Sequence, residues 1–397
     1  MRISTQMFYE RSAAGMSSLQ QQLFRVQQKL GAGTRFLTPS DDPVAAARAL
    51  GAGQSMAETA QYALSRGRAT QSLSMEETAL QSATSILQNV KTLIIQAGNG
   101  TLADADRSTL ATALEGQFAH LLAVANSDDG NGQYLFAGYK SATPPFVQQA
   151  GGVVSYEGDE GPRLLQVDVA RQMAGTDDGS MVFQSVQGSA ARVTTAGVAN
   201  QGSGVFSAAS VTDGKNYTIE FGPGGAYTVT ADDGTVYPPG NLSTGPTIVA
   251  GGLKIRIDGA PEDQDVFTVA SAQTGGKPAM DVFGAMRDLI AALRAPTGSA
   301  AASARMLNAL STANVKITNA YDNVLTVRSS VGSRMAELDA LSASGDWRNL
   351  VDQTYLSELQ DLDYAAAISQ FAQREANLKA TQQTFARLQD IALFNYL

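Results

Sequence analysis

The sequence predicts an α+β multidomain chain in which N- and C-terminal flanks pair as long coiled-coil-like α-helices around an inserted antiparallel all-β domain. Three observations predict it. Glycine and proline are segregated: 21 of the 38 glycines and 8 of the 12 prolines lie between residues 140 and 275, and both residues break helices and make turns. The flanks carry apolar residues at helical spacing. The middle carries short alternating runs rich in β-branched and aromatic residues. The expected organisation is a terminal helical region, 1–40 with 350–397; a long-helix bundle, 41–139 with 276–349; and a surface-facing β insert, 140–275, of one or two small modules.

The first helix is signalled by Leu19, Leu23, Val26 and Leu30, whose 4-3-4 steps make a coiled-coil seam. Gly31 and Gly33 are expected to stop it. TPSDDP at 38–43 then raises a question, because Asp41 and Asp42 could be an acid pair or a helix start. The residue before a proline is pushed out of the α region, an N-cap needs that conformation and an acceptor side chain, and proline favours the first helical position. Asp42 therefore reads as the N-cap and Pro43 as the first turn, with both carboxylates at the positive end of the helix dipole. No proline interrupts the chain from there to Ala97, so this helix spans about 80 Å at roughly 1.5 Å per residue. GNGT at 98–101 is a turn, Leu102–Asn126 a further helix, and SDDGNG its end.

The C-terminal flank predicts helices over Ala279–Leu293 and Ser299–Leu341, a break at SGDW (344–347), and a run without breakers from Leu350 to Leu397. In that run Phe371, Leu378, Phe385 and Ala392 recur every seven residues, with Arg374, Thr381, Leu388 and Asn395 in the alternate positions. So polar a seam is marginal alone, and the seam at 19–30 is its obvious partner. Isolated helices as short as 19–30 are also marginal in water, so both ends are expected to order best when other copies supply neighbours. In the insert, YTIEF (217–221), AYTVT (226–230), LKIRI (253–257) and VFTVA (266–270) read as strands separated by GPGG, DDGT and DGAPEDQD. VVSYEG and RLLQVDV read as an earlier hairpin.

No chemistry assembles from these residues. The chain has no cysteine and one histidine, His120, within a helical pattern. Thiolate metal sites and cysteine nucleophiles are excluded, and zinc is rarely held by carboxylates alone. Paired aspartates at 128–129, 177–178 and 232–233 precede glycine, which is a turn signature; none has calcium-loop spacing. GNGTLA follows a helix rather than a strand, so a dinucleotide reading fails on context. Trp347 reads as a packing residue. A net charge of −9 without a basic run disfavours nucleic acid, and no apolar run is long enough to insert in a membrane. The expectation is a non-enzyme with no cofactor and no metal. The start, MRISTQMFYERSAAG, lacks the apolar core of a secretory signal.

Several stretches carry a resemblance. LQNVKTLIIQAGNGT (87–101) and LDYAAAISQFAQREANLKATQQTFARLQDIALFNYL (362–397) resemble the flagellin-like family. LTPSDDPVAAARAL (37–50), GQYLFAGYKSATPPF (132–146) and VGSRMAELDAL (331–341) resemble its hook-filament junction branch more than filament flagellin. The resemblance implies an extracellular structural adaptor that joins hook to filament and templates flagellin. Filament flagellin itself, or an exported binding module carried by the insert, are the alternatives. It further implies export through the flagellar type III channel without a cleaved signal, a chaperone on the C-terminal helix, and a ring of identical subunits above the first junction protein. The terminal helices would form an inner tube, and the insert would face outward. Gln88, Leu93 and Gln96 match the flagellin pattern. Asn89 stands where many flagellins carry an arginine used by innate receptors, so the resemblance does not extend to that recognition.

Overall fold

Asp42 starts the second helix as the sequence requires. In the computed structural model, which describes residues 5–185, 192–274, 277–278 and 281–394, its Oδ1 accepts the Ala45 N–H at 2.9 Å and its carbonyl accepts that of Ala46 at 2.9 Å. Asp41 does different work: its Oδ2 accepts the N–H groups of Leu37 (3.0 Å) and Thr38 (3.3 Å), closing the preceding turn. Those two donors hold its carboxyl below the usual carboxylate range. Replacing Asp42 by alanine is expected to cost about 1 kcal/mol, read from the denaturation midpoint, with Asp42→Asn nearly neutral. Equal losses in both variants would show that the cap is not what matters there.

The described residues form six α-helices in order: α1 (Thr5–Ala32), α2 (Pro43–Ala97), α3 (Asp104–Ala125), α4 (Val282–Arg294), α5 (Ala300–Gln360) and α6 (Tyr364–Phe394). α1 is longer than the seam at 19–30 suggested, and Gly31 lies inside it. The helix stops at Gly33, whose φ is +70°. The expected break at SGDW is not there. One glycine costs about 1 kcal/mol against alanine, too little to interrupt a 61-residue helix, so α5 runs straight through Gly345. Trp347 is not a packing residue; it is 66% exposed. The break falls instead at Asp361–Asp363, where the Asp363 Oδ1 caps α6 by accepting the Ala366 N–H at 3.0 Å. α4 begins after Asp281, whose carboxylate accepts the Phe283 and Gly284 N–H groups; Ala279 lies outside the described residues.

The chain forms two compact units, residues 1–64 with 341–397 and residues 65–340. In the larger unit, α2 buries Leu73, Leu80, Leu87, Val90 and Ile94, and α5 buries Ile317, Val324, Val327, Val331 and Leu338. The Arg328 Nε donates to Glu77 at 3.0 Å, and the Gln88 Nε2 donates to the Tyr321 hydroxyl at 2.9 Å. Two β hairpins sit on this helical body. β1 (Phe146–Gln148) pairs with β2 (Val154–Tyr156), and β3 (Leu164–Asp168) pairs with β4 (Arg171–Ala174), all antiparallel. VVSYEG and RLLQVDV therefore do not pair with each other; each takes a nearer partner, which closes a shorter loop. The hairpins are anchored by an aromatic cluster: Phe146, Phe183 and Phe283 meet at 5.3–6.2 Å, extended by Phe118 and Phe136.

GQYLFAGYKSATPPF supplies Phe136 and Phe146 to that cluster. Its Gly138, at φ +61°, lies against the Asp159 carbonyl, where a Cβ would come within 2.1 Å, so only glycine fits.

The remaining strands are β5 (Arg192–Ala196), β6 (Val205–Val211), β7 (Tyr217–Phe221), β8 (Ala226–Ala231), β9 (Gly240–Asn241), β10 (Thr247–Ala250), β11 (Leu253–Asp258), β12 (Val266–Ser271), β13 (Gln273–Thr274) and β14 (Lys277–Pro278). They form antiparallel sheets ordered β5-β12-β7-β8-β9 and β10-β11-β6, with β13-β14 a separate ribbon. Alternate residues of the two larger sheets, among them Phe206, Ile219, Phe221, Ile255 and Phe267, bury one common core. This module hangs on α5 through side-chain bonds to its backbone. Buried Asn308 accepts the Phe206 N–H at 3.1 Å and donates to the Gly204 carbonyl at 2.9 Å; Arg305 donates to the Asn200 carbonyl and Thr312 to that of Thr194, both at 2.8 Å.

Candidate assembly surface

α1 and α6 lie side by side, antiparallel, with their register fixed at three points. At the root, Thr34 and Asp361 form an antiparallel bridge, Arg35 N–H donates to the Gln360 carbonyl at 2.7 Å, and Leu362 N–H donates to that of Gly33 at 3.0 Å. Midway, Arg374 donates to Gln22 Oε1 at 3.2 Å. Near the tip, the Tyr9 and Phe385 rings meet edge to face at 5.7 Å. Gly33 is required at the root: a Cβ there would stand 3.0 Å from the Tyr364 hydroxyl in a left-handed backbone.

The described seam residues are among the less exposed positions of the two helices. Val26 is buried, and Leu19, Leu23, Leu30, Phe371, Leu378 and Phe385 are half-buried. The helix containing Leu388 is described but that side chain is not, and Asn395 lies outside the described residues. The two ends thus pair within a single chain, as the two seams led us to expect. The length of α1 beyond 19–30 supports that pairing, since a longer seam offsets the weakness of each short segment.

Two helices cover only one stripe of each other. Among the described residues, 23 large apolar side chains are more than about a third exposed, and 12 of them lie in the unit of residues 1–64 and 341–397. That unit holds 64 and 57 of the 397 residues, so exposed apolar groups are crowded onto it about twofold. Phe24, Leu50, Leu64, Trp347, Leu350 and Ile368 are examples, all more than half exposed.

The other singled-out residues lie elsewhere. Gln88, Asn89 and Gln96 are exposed on α2 in the larger unit and Leu93 is half-buried beside them; Gln88 meets Tyr321, and the Lys91 ammonium sits over the same ring at 5.4 Å. Asp41, Asp42 and Pro43 belong to the helix start already described. His120 is exposed. Among the described residues no cluster of three or more acidic or histidine side chains is placed to hold a metal, and no helix is long and apolar enough to cross a membrane. The larger unit also has an alanine-lined groove of about 710 Å³ between α4, α5 and the end of β5. No sequence signal pointed to it.

The flagellar hook-associated protein 3 of Salmonella typhimurium is 32% identical over 395 residues, covering 99% of each chain. The chain belongs to the flagellar hook-associated protein 3 family. The family's Escherichia coli protein is 30% identical over the same share of both chains. The profile of the bacterial flagellin N-terminal helical region matches residues 3–141, which contain both TPSDDP and the 87–101 segment. FlgL of Xanthomonas campestris, a solved structure, superposes with a TM-score of 0.69 at 27% identity, covering 77% of this chain and 99% of that one. Full-length agreement with hook-associated protein 3 relatives, rather than agreement over the helical flanks alone, sets aside the reading as filament flagellin.

Proposed function

We propose that this chain is the structural adaptor at the distal end of the hook, where it joins hook to filament and presents the surface on which flagellin polymerises. The observation that carries this reading is the crowding of exposed apolar side chains onto the unit that contains the paired terminal helices. A chain so built buries that surface only by assembling. In this reading Leu19, Leu23, Val26, Leu30, Phe371, Leu378 and Phe385 hold the α1–α6 pair together, and a ring of identical subunits packs through the exposed apolar faces beside that seam. The first junction protein lies below and flagellin above. α1 and α6 line the inner tube, the α2–α5 body surrounds it, and the β5–β12 module faces outward. The thin α1–α6 seam also suits export: a pair held by few buried side chains unpairs readily, leaving α6 free for an export chaperone. No catalytic role is proposed.

The test is a strain lacking this gene, with flagellin measured in cells and in medium and hooks inspected by electron microscopy. Hooks without filaments, with flagellin monomer lost to the medium, are expected. Normal filaments would overturn the reading, and absence of flagellin from both fractions would make this chain the filament subunit.

A further inference from the structure

Glu76 lies in the middle of α2 and is fully buried. Its Oε1 accepts the Asp177 N–H at 3.1 Å, while its Oε2 has no donor. Asp177 belongs to the segment after β4, and its carboxylate is paired with Arg334 of α5, both side chains more than four-fifths buried. Arg334 also donates to the Ala174 carbonyl at 3.2 Å, and its Nε–H has no acceptor. The arginine is thus committed to the 174–177 segment rather than to Glu76.

The other charges nearby are engaged elsewhere. Glu77 turns to Arg328, Arg171 holds Glu337 through two bonds, and Asp178 accepts the Ser180 hydroxyl and the Met181 N–H. Glu76 thus lies buried against Asp177 with no guanidinium of its own, and an ionised Glu76 would leave one oxygen without a donor beside a second negative charge.

We propose that Glu76, Asp177 and Arg334 form a proton-dependent latch that fastens residues 174–184 to α2 and α5. The latch is closed while Glu76 carries a proton. The fastened segment includes Val182 and Phe183, both buried, and Phe183 belongs to the aromatic cluster, so opening it unseats part of the core.

Burial, reinforced by the Asp177 charge, pushes the Glu76 carboxyl up from its ordinary 4.5 to about 8. In the opened segment Glu76 meets water and ionises near its ordinary value. The closed state therefore binds the extra proton between those limits. Opening becomes easier as pH rises through that window, about tenfold per pH unit, and is independent of pH above and below it.

Amide hydrogen exchange on the full chain, corrected for the intrinsic pH dependence of exchange, reads this directly at the Asp177 and Val182 N–H groups. Between pH 5.5 and 7.5 protection is expected to fall about tenfold per unit in the wild type and to stay flat in Glu76→Gln. Equal slopes in the two proteins, or a flat wild type, would overturn the proposal. Should Glu76→Gln fail to fold, carbon-13 titration of the side-chain carboxyl groups in the wild type decides the matter. One glutamate titrating near pH 8 supports the latch, and all glutamates titrating near their ordinary value overturn it.

Discussion

Phe385→Asp is expected to abolish filament attachment while leaving the β5–β12 module folded. Phe385 is half-buried between α1 and α6 and supplies the edge-to-face contact with Tyr9 near the open end of the pair. Losing that ring contact costs about 1 kcal/mol beyond its buried area. Half-burial of a phenyl side chain contributes about another 1 kcal/mol, and a carboxylate placed in the seam must be desolvated or swing out. The seam has little to spare, because Arg374 and Thr381 already occupy alternate positions in it. Residues 192–271 bury a core of their own, so their amide exchange is expected to be unchanged. Complementation of the deletion strain checks the functional arm: Phe385→Leu restores swimming and Phe385→Asp does not. Full motility with Phe385→Asp would show that the α1–α6 pair is not needed for assembly.

Phe283→Ala is expected to give the largest loss of stability in the larger unit. The ring is 1% exposed and touches Phe118 at 5.8 Å, Phe146 at 5.3 Å and Phe183 at 6.2 Å. Removing a fully buried phenyl group from such a cluster costs about 3–5 kcal/mol, the transfer term plus the cavity it leaves. The damage should be local: faster exchange in α3, α4 and the β1–β2 hairpin, with β7 and β12 unaffected because their core is separate. Urea denaturation measures the magnitude. A loss below about 1 kcal/mol would mean that the three neighbouring rings close the cavity themselves.

The sequence was most legible where structure is decided locally. Strands β7, β8, β11 and β12 begin where the alternating runs begin, because period-2 burial is written residue by residue. Asp42 and Pro43 start α2 because cap chemistry acts over four residues. It was least legible where a weak local signal competed with a long element. Gly345 reads as a breaker, yet the helical turns on either side outweigh it. Asp361–Asp363 reads as ordinary helix until the α1 root pairs with it through Arg35 and Leu362. The terminal seams and their pairing were legible too, but the register of one on the other was not, since nothing in a seam names the contacts that fix it.

The sequence by itself determined that the flanks are helical, that the middle is antiparallel β, where α2 starts, and that no thiol is available. Each follows from spacing, glycine and proline placement, or the bare presence of a residue type. Only the tertiary structure decided which strands pair in the hairpins, how five phenylalanines between 118 and 283 meet, how α1 registers on α6, and that Glu76 is buried against Asp177. The Glu76, Phe118–Phe283 and α1–α6 contacts join residues about 100 to 350 positions apart. A carboxyl group's protonation depends on the water and charge around it, which the chain fixes only when distant segments close over it.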